Sequence, residues 1–403
     1  MSGSYAGLQA KIKEANPLAK FVPCSAHSLN LVGTNAVDCC TQAVLFFNLL
    51  QNVYTFFTAS THRWKVLNAS VKGLSETRWS ARDDACQSLN KNWSLIINAL
   101  NLINNDDTEK TLTRNEASGI LNKLNNLETA FLSIFWGQIL HRFNLTSKKL
   151  QAVNIDLGVV CELYKSLITY IIDLRSDKNY EYFKQCAIEK SKIKQFQSCT
   201  KRLKIRKQFF DEGPSKETTV EYSDFKVKTY FVILDQLRSQ LEKRNEKYEN
   251  LLKNYNFFFK LTEMTSIKVR KNAEILQNEY KDDLSTLFAN ECVHFRSHLL
   301  SIGDEAPKTI QDMCGFLRKN DLIGMYPYID VSLRMLLCTP VSNCSTERSF
   351  SCLKRVKTYL RSCISAERLS DLAIMNIESD VTAKIEFDDI INEFATLQSR
   401  RKI

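Results

Sequence analysis

The sequence predicts a mainly α-helical fold. Three observations carry that expectation. Only 6 Pro and 11 Gly occur in 403 residues; long stretches set apolar side chains at helical spacing; and the alternation of a half-buried strand is scarce. Hydrophobic residues at 44% and charged residues at 25% are ordinary for a folded chain. The length suits two or three domains, or one core with a large insertion.

From the N-terminus, residues 3–15 carry a weak helical pattern that stops at Pro17. The short apolar piece Ala19–Pro23 is expected to form one buried strand. Ser25 to about Ala59 is helical and apolar on most sides, which places it in the interior. Its most apolar part, VLFFNLLQNVYTFF (44–57), is interrupted by Asn48, Gln51 and Asn52 and is too short to span a bilayer. Helices follow near 80–104, 114–145 and 148–175, with loops at Asn104–Asp107 and Asn154. Asp211–Ser215 (DEGPS) breaks the chain. A long helix from about Tyr222 to Lys260 then aligns Val227, Phe231, Leu234, Leu237 and Leu241. Further helices run to about Phe316, interrupted at Pro307, and two terminal helices cover about 342–361 and 366–378.

The 13 cysteines are odd in number, scattered, and often set among apolar neighbours, as at Cys161, Cys314 and Cys338. That usage reads as reduced thiols in an intracellular protein rather than a disulfide framework. The opening MSGSYAGLQAKIKE is polar and does not read as a secretory signal. A net charge of +10 suits an acidic partner, nucleic acid among them. Residues 189–208 hold eight Lys or Arg against one Glu, with Lys201, Arg202, Lys204 and Arg206 at its centre. Such a run grips DNA phosphates by releasing counterions, or it is simply a solvated face beside a loop. Aromatic interleaving is slight, so stacking on single strands has little support.

Candidate metal ligands are thin. His294 and His298 share a helix face with Cys292 nearby, but the glutamate of an HExxH site is absent, and surface histidines are the simpler reading. Cys24 and His27 form CxxH with Cys39 and Cys40 downstream; two ligands do not make a four-ligand zinc site, and a buried Cys beside a core-edge His accounts for the pair. No Ser–His grouping and no glycine-rich phosphate loop support a hydrolase, kinase or dehydrogenase.

Near the C-terminus, Pro340 and Ser342 make a good helix start, with Ser342 as candidate N-cap. Phe350, Leu353, Val356, Leu360 and Ile364 fall on one side of that helix, and Glu347 falls nearly opposite. A glutamate in a first turn is favoured by the helix dipole without any further role.

Three stretches in chain order, PCSAHSLNLV (23–32), SETRWSARDDA (75–85) and YPYIDVSLRMLLCTPVSNCSTERSFSCLKRVKTYLRSCISAERLSDLAIMNI (326–377), resemble hAT-family transposases. The likeness is greatest to the transposase-like region of zinc finger MYM-type and TTF-type proteins and to the hAT C-terminal dimerisation region, and its specific part is the pattern PVSxCxxERSFSxLKxxKTxLRS. The resemblance implies an RNase H-like fold interrupted by a large helical insertion. It also implies chemistry in which two Asp and one Glu hold Mg or Mn for in-line attack on phosphate. Glu347 corresponds to the third acidic residue, and Cys24 and His27 to a CxxH beside that site. Trp79, preceded by Arg78, corresponds to a tryptophan that stacks on a flipped base, with a half-buried anchor as the structural alternative. Phe350, Leu353, Val356, Leu360, Leu369, Leu372 and Ile377 would supply the dimer surface.

In relatives the second catalytic Asp precedes a segment like MSGSYAGLQAKI, so both Asp and the N-terminal zinc-binding module are expected to be missing here. The expected class is therefore mainly α, an incomplete RNase H-like core interrupted by a large all-α insertion. Its parts are a core remnant over 1–30, the insertion over 31–325, closing helices and dimerisation region over 326–380, and a tail over 381–403. The expected function is that of a catalytically inactive, transposase-derived nuclear protein that forms homo- or hetero-oligomers and contacts DNA, with no cofactor, no bound metal and no membrane. Alternatives are a piece of an active metal-dependent transposase, a helical scaffold that binds protein alone, and a cytoplasmic location.

Overall fold

The expected long helices are broken into shorter ones, in two places where a side chain, Asn126 or Asp156, caps the new start. The structure, a computed structural model, describes residues 7–75, 80–152, 155–193, 196, 225–339, 341–342, 344–358 and 363–398. After α1 (Leu8–Ala15), the stretch from Ser25 splits into α2 (Ser25–Val37) and α3 (Thr41–Thr58) at Asp38–Cys40. Next come α4 (Thr61–Leu67), α5 (Ser80–Lys91) and α6 (Trp93–Asn104), the last two parted by Asn92. α7 (Thr111–Leu124) and α8 (Leu127–Leu150) part at Asn125–Asn126, where the Asn126 side chain accepts from the Glu128 N–H at 2.9 Å. Asp156 caps α9 (Leu157–Leu174) by accepting from the Val159 N–H at 2.9 Å, and Ser176 caps α10 (Asp177–Ser191).

The expected helix over 222–260 opens on a π-helical turn, Lys226–Phe231, before α11 (Val232–Leu252). The wider turn rotates the chain, so Val227 is exposed and Phe231 half-exposed, while Leu234, Leu237 and Leu241 keep the buried stripe. Then follow α12 (Ser266–Glu279), α13 (Phe288–Ile302), α14 (Ile310–Lys319) and α15 (Pro327–Leu337). The strand expected at Ala19–Pro23 is not formed. Phe21 is exposed, only Val22 is buried, and no strand lies alongside among the described residues to share a ladder.

Two compact units divide the chain, Met1–Val341 and Ser342–Ile403. The core of the first is built on α8, whose Phe131, Phe135, Trp136, Ile139, Leu140 and Phe143 are fully buried. Phe135 meets Phe183 of α10 edge-on at 5.6 Å, and Phe131 meets Tyr230 edge-on at 5.7 Å. Trp136 meets Phe47 of α3 at 5.2 Å. Such pairs add about 0.5–1.5 kcal/mol each beyond area burial. α11 packs along α9 and across α2, and two phenols fix the start of α2: Tyr164 donates to the Ser25 carbonyl at 2.8 Å and Tyr248 to the Pro23 carbonyl at 3.1 Å.

One polar cluster is built into this core, between α5, α8 and α10. Asp83, almost fully buried, accepts from Asn144 Nδ2 at 2.8 Å and from Gln87 Nε2 at 3.1 Å. Lys190 hydrogen-bonds the Asn90 side-chain oxygen, approaches Ser133 Oγ at 3.3 Å and sits 4.6 Å over the Trp93 ring. Among the described residues no helix is long and apolar enough to cross a membrane.

The second unit contains α16 (Cys344–Val356), α17 (Ala366–Ile377), a short α18 (Ser379–Thr382) and α19 (Asp388–Gln398). The Ser342 hydroxyl accepts from the Cys344 N–H at 3.3 Å at the start of α16. α16 packs on α17, where Cys352 Sγ donates to Asn376 Oδ1 at 2.8 Å.

Candidate dimerisation surface

A helix that packs on one neighbour buries one face and leaves the other to solvent or to a partner chain. On α17, Leu369, Leu372, Ala373 and Asn376 recur at helical spacing and are partly covered or, for Asn376, bonded to α16. The other side carries Ile374 and Ile377 at i and i+3, and Val381 follows on α18 after the break at Glu378. Ile374 is 57% exposed and Val381 58% exposed, and Ile377 and Met375 are exposed with them. No residue of α17 or α18 is fully buried. The turn between these helices is held by Thr382, whose hydroxyl donates to the Met375 and Glu378 carbonyls at 3.0 Å.

α16 presents a different division from the expected stripe. Cys352 and Val356 are buried, Leu353 is half-buried, and Phe350 is 65% exposed. Phe350 lies three residues after Glu347, one turn along, so it turns away from the side that holds Cys352 and Val356. Glu347 is exposed on that same outer side, as its position opposite Val356 requires. It is the sole carboxylate of α16. Among the described residues no three His, Cys, Asp or Glu side chains gather to hold a metal ion. Glu347 by itself supplies one carboxylate, fewer ligands than a pair of divalent ions needs.

In the first unit, Cys24 occupies the N-cap of α2 and is half-buried, while His27 stands exposed one turn on. Tyr164 and Tyr248 hold the backbone on either side of Cys24, so the CxxH is anchored by phenols. Cys39 and Cys40 lie at the α2–α3 junction. The Cys39 thiol, followed by the first N–H groups of α3, brings Cys40 down to about 7 from its ordinary value. His298 Nδ1 lies 3.1 Å from the Tyr326 hydroxyl in the packing of α13 on α15, while His294 is exposed, as the sequence suggested, with its ring 5.3 Å from that of Tyr326. Glu291 Oε2 accepts from the Tyr328 and Ile329 N–H groups at 3.0 and 3.2 Å, which places the start of α15. Asp330, nearly buried, pairs with Arg318 at 3.0 Å and Arg334 at 2.8 Å. Arg78, Trp79, Lys201, Arg202, Lys204, Arg206 and Leu360 lie outside the described residues.

Sequence reasoning missed Ile374, Met375 and Val381, and it read residues 381–403 as a tail. The spacing of Phe387, Ile390, Ile391 and Phe394 at i, i+3, i+4 and i+7 is the signal that marks a helix there.

With this geometry in view, the comparison with protein families is specific. Residues 299–381 match the hAT family C-terminal dimerisation region. The matched segment contains α14 through α17 and all but the last residue of α18, and with them the exposed Ile374, Ile377 and Val381. The match supports a hAT transposase-like character for this part of the chain and a capacity to form oligomers.

Proposed function

We propose that this is a transposase-derived protein whose activity is association with a second copy of itself through the outer face of α17 and α18. One observation carries the reading: Ile374 and Ile377 on one side of α17, and Val381 on the short helix that follows, are all exposed inside the segment that matches a dimerisation region. Full burial of such a side chain from full exposure is worth about 1.5–3 kcal/mol; these three are only about half exposed, so covering all six in a two-fold pair gains roughly half of that for each, set against the cost of association. The test is sedimentation of the full chain beside a double variant, Ile374→Asp with Ile377→Asp. The wild type is expected to sediment as a dimer and the variant as a monomer with unchanged helicity. A variant that remains dimeric at the same concentration sinks the assignment of this face.

The basic run over 189–208 and the net charge of +10 favour a second activity, contact with DNA phosphates. An electrophoretic shift with duplex DNA that weakens steeply from about 50 to 200 mM salt would support it. Binding indifferent to salt would leave a protein-only scaffold.

A further inference from the structure

α3 carries no Asp, Glu, Lys, Arg or His in its 18 residues, in a chain of which 25% is charged. Its buried side accounts for part of that. Its solvent side does not: Leu45, Asn48, Asn52 and Thr55 recur at helical spacing and all are exposed, Leu45 by 59%. A solvent face without charge has the composition of an interface core rather than of open surface. The Asn48 and Asn52 side-chain amides make no hydrogen bond among the described residues, which leaves their donors and acceptors to water or to another chain.

Beside this face lies a cavity of about 180 Å³. Phe46 and Leu49 of α3 and Leu132 of α8, all buried, form its floor, and the exposed Leu45 its rim. The size suits a single side chain, since an apolar cavity of about 150 Å³ takes one benzene ring. Glu128 lines the same cavity, half-buried and with no ion pair or hydrogen bond to its carboxylate among the described residues. Burial raises its pKa above the ordinary glutamate value, and no neighbouring charge opposes that rise. Its place in the first turn of α8 is favoured by the helix dipole, but a fully solvated carboxylate would serve there as well. Lys123, at the edge of the cavity, is exposed and does not pair with it. A desolvated carboxylate above an apolar floor is the complement of a cation carried on a hydrocarbon stem, the shape of a lysine or arginine side chain.

We propose that this groove is a docking site for a different protein, and that it takes one lysine or arginine side chain of that partner, the stem against Leu45, Leu49 and Leu132 and the cationic head on Glu128. The uncharged face of α3 beside the groove then receives the partner's surface around that anchor. No residue of α16–α19 takes part, so the site stands apart from the self-association described above.

The experiment uses the full chain with leucine methyl groups labelled for NMR, and three capped amino acids as probes. These are N-acetyl-lysine methylamide, N-acetyl-arginine methylamide, and N-acetyl-norleucine methylamide, which keeps the stem without the charge. The lysine or the arginine probe is expected to shift the Leu45, Leu49 and Leu132 methyls in a saturable way, about ten-fold or more tighter than norleucine. Glu128→Gln is expected to erase that preference. Leu45→Lys, a change at an exposed position, sets a cation of the chain's own at the groove and is expected to block the probes. Equal binding of norleucine, a preference that survives Glu128→Gln, no saturation by any probe, or unchanged binding to Leu45→Lys each overturns the proposal. Tighter binding of free butylammonium than of the capped lysine also overturns it, because that marks a site for a small amine. If the capped lysine splits a wild-type dimer in sedimentation, the occupant is a second copy, and the assignment to a different protein fails.

Discussion

Lys190 shows how much a single side chain can weigh in this molecule. Its ammonium is largely buried beside Trp93, Asn90 and Ser133, and burial lowers its pKa from 10.5 to about 8. Between those two values the unfolded chain holds the proton and the folded chain does not. The share of stability that depends on this group therefore rises with pH across that window, and its penalty is fully present below about pH 8. Denaturation of wild type and of Lys190→Met across pH 7 to 10.5 should show the difference shifting steadily toward the wild type; a constant difference would mean that the amine is solvated. Asp83→Ala should cost about 1–3 kcal/mol, because Asn144 and Gln87 would lose their acceptor in the interior. Cysteine reactivity should divide in the same residue-specific way. Cys40, at about 7, is half-exposed, whereas burial raises the Cys86 and Cys292 thiols. Iodoacetamide at pH 7.5 should label Cys40 well before either, as read by peptide mass mapping.

At the scale of the element, α8 is the post on which the first unit is built. Phe135 touches Trp136, Phe183 and Tyr230 with no exposed surface, so Phe135→Ala should destabilise the chain by about 3–5 kcal/mol in denaturant titration. The helical character of this stretch was readable from its periodicity, as were the faces of α11 that carry Leu234, Leu237 and Leu241. The cuts were not. Asn92 and Asn125–Asn126 are tolerated inside a helix, and what turns them into ends is the packing of the shorter rods on one another. The π-helical turn before α11 was equally hidden, since nothing in KVKTYF distinguishes it from an α-helical turn. Glu347 was legible as a residue on the outer side of α16. Phe350 beside it was not, because five apolar residues along one helix read as one stripe until the neighbour that covers part of it is known.

For the whole molecule, the unit Met1–Val341 holds nearly all of the buried apolar side chains, and Ser342–Ile403 holds the face assigned to self-association. A chain ending at Val341 should keep a cooperative thermal transition and lose concentration-dependent sedimentation. A noncooperative melt would show that the larger unit leans on the smaller for its core. The boundary between units does not coincide with the boundary of family likeness. The match opens at residue 299, inside α13, where Leu299 is 1% exposed, and it runs across Val341 into the second unit. A fragment trimmed to residues 299–381 would begin with the last turn of α13. It would strip Phe295 and His294 from Tyr326, remove the Glu291 carboxylate from the first turn of α15, and omit α19. Anyone expressing this region by its homology limits should expect an insoluble product, and should start before α12 instead.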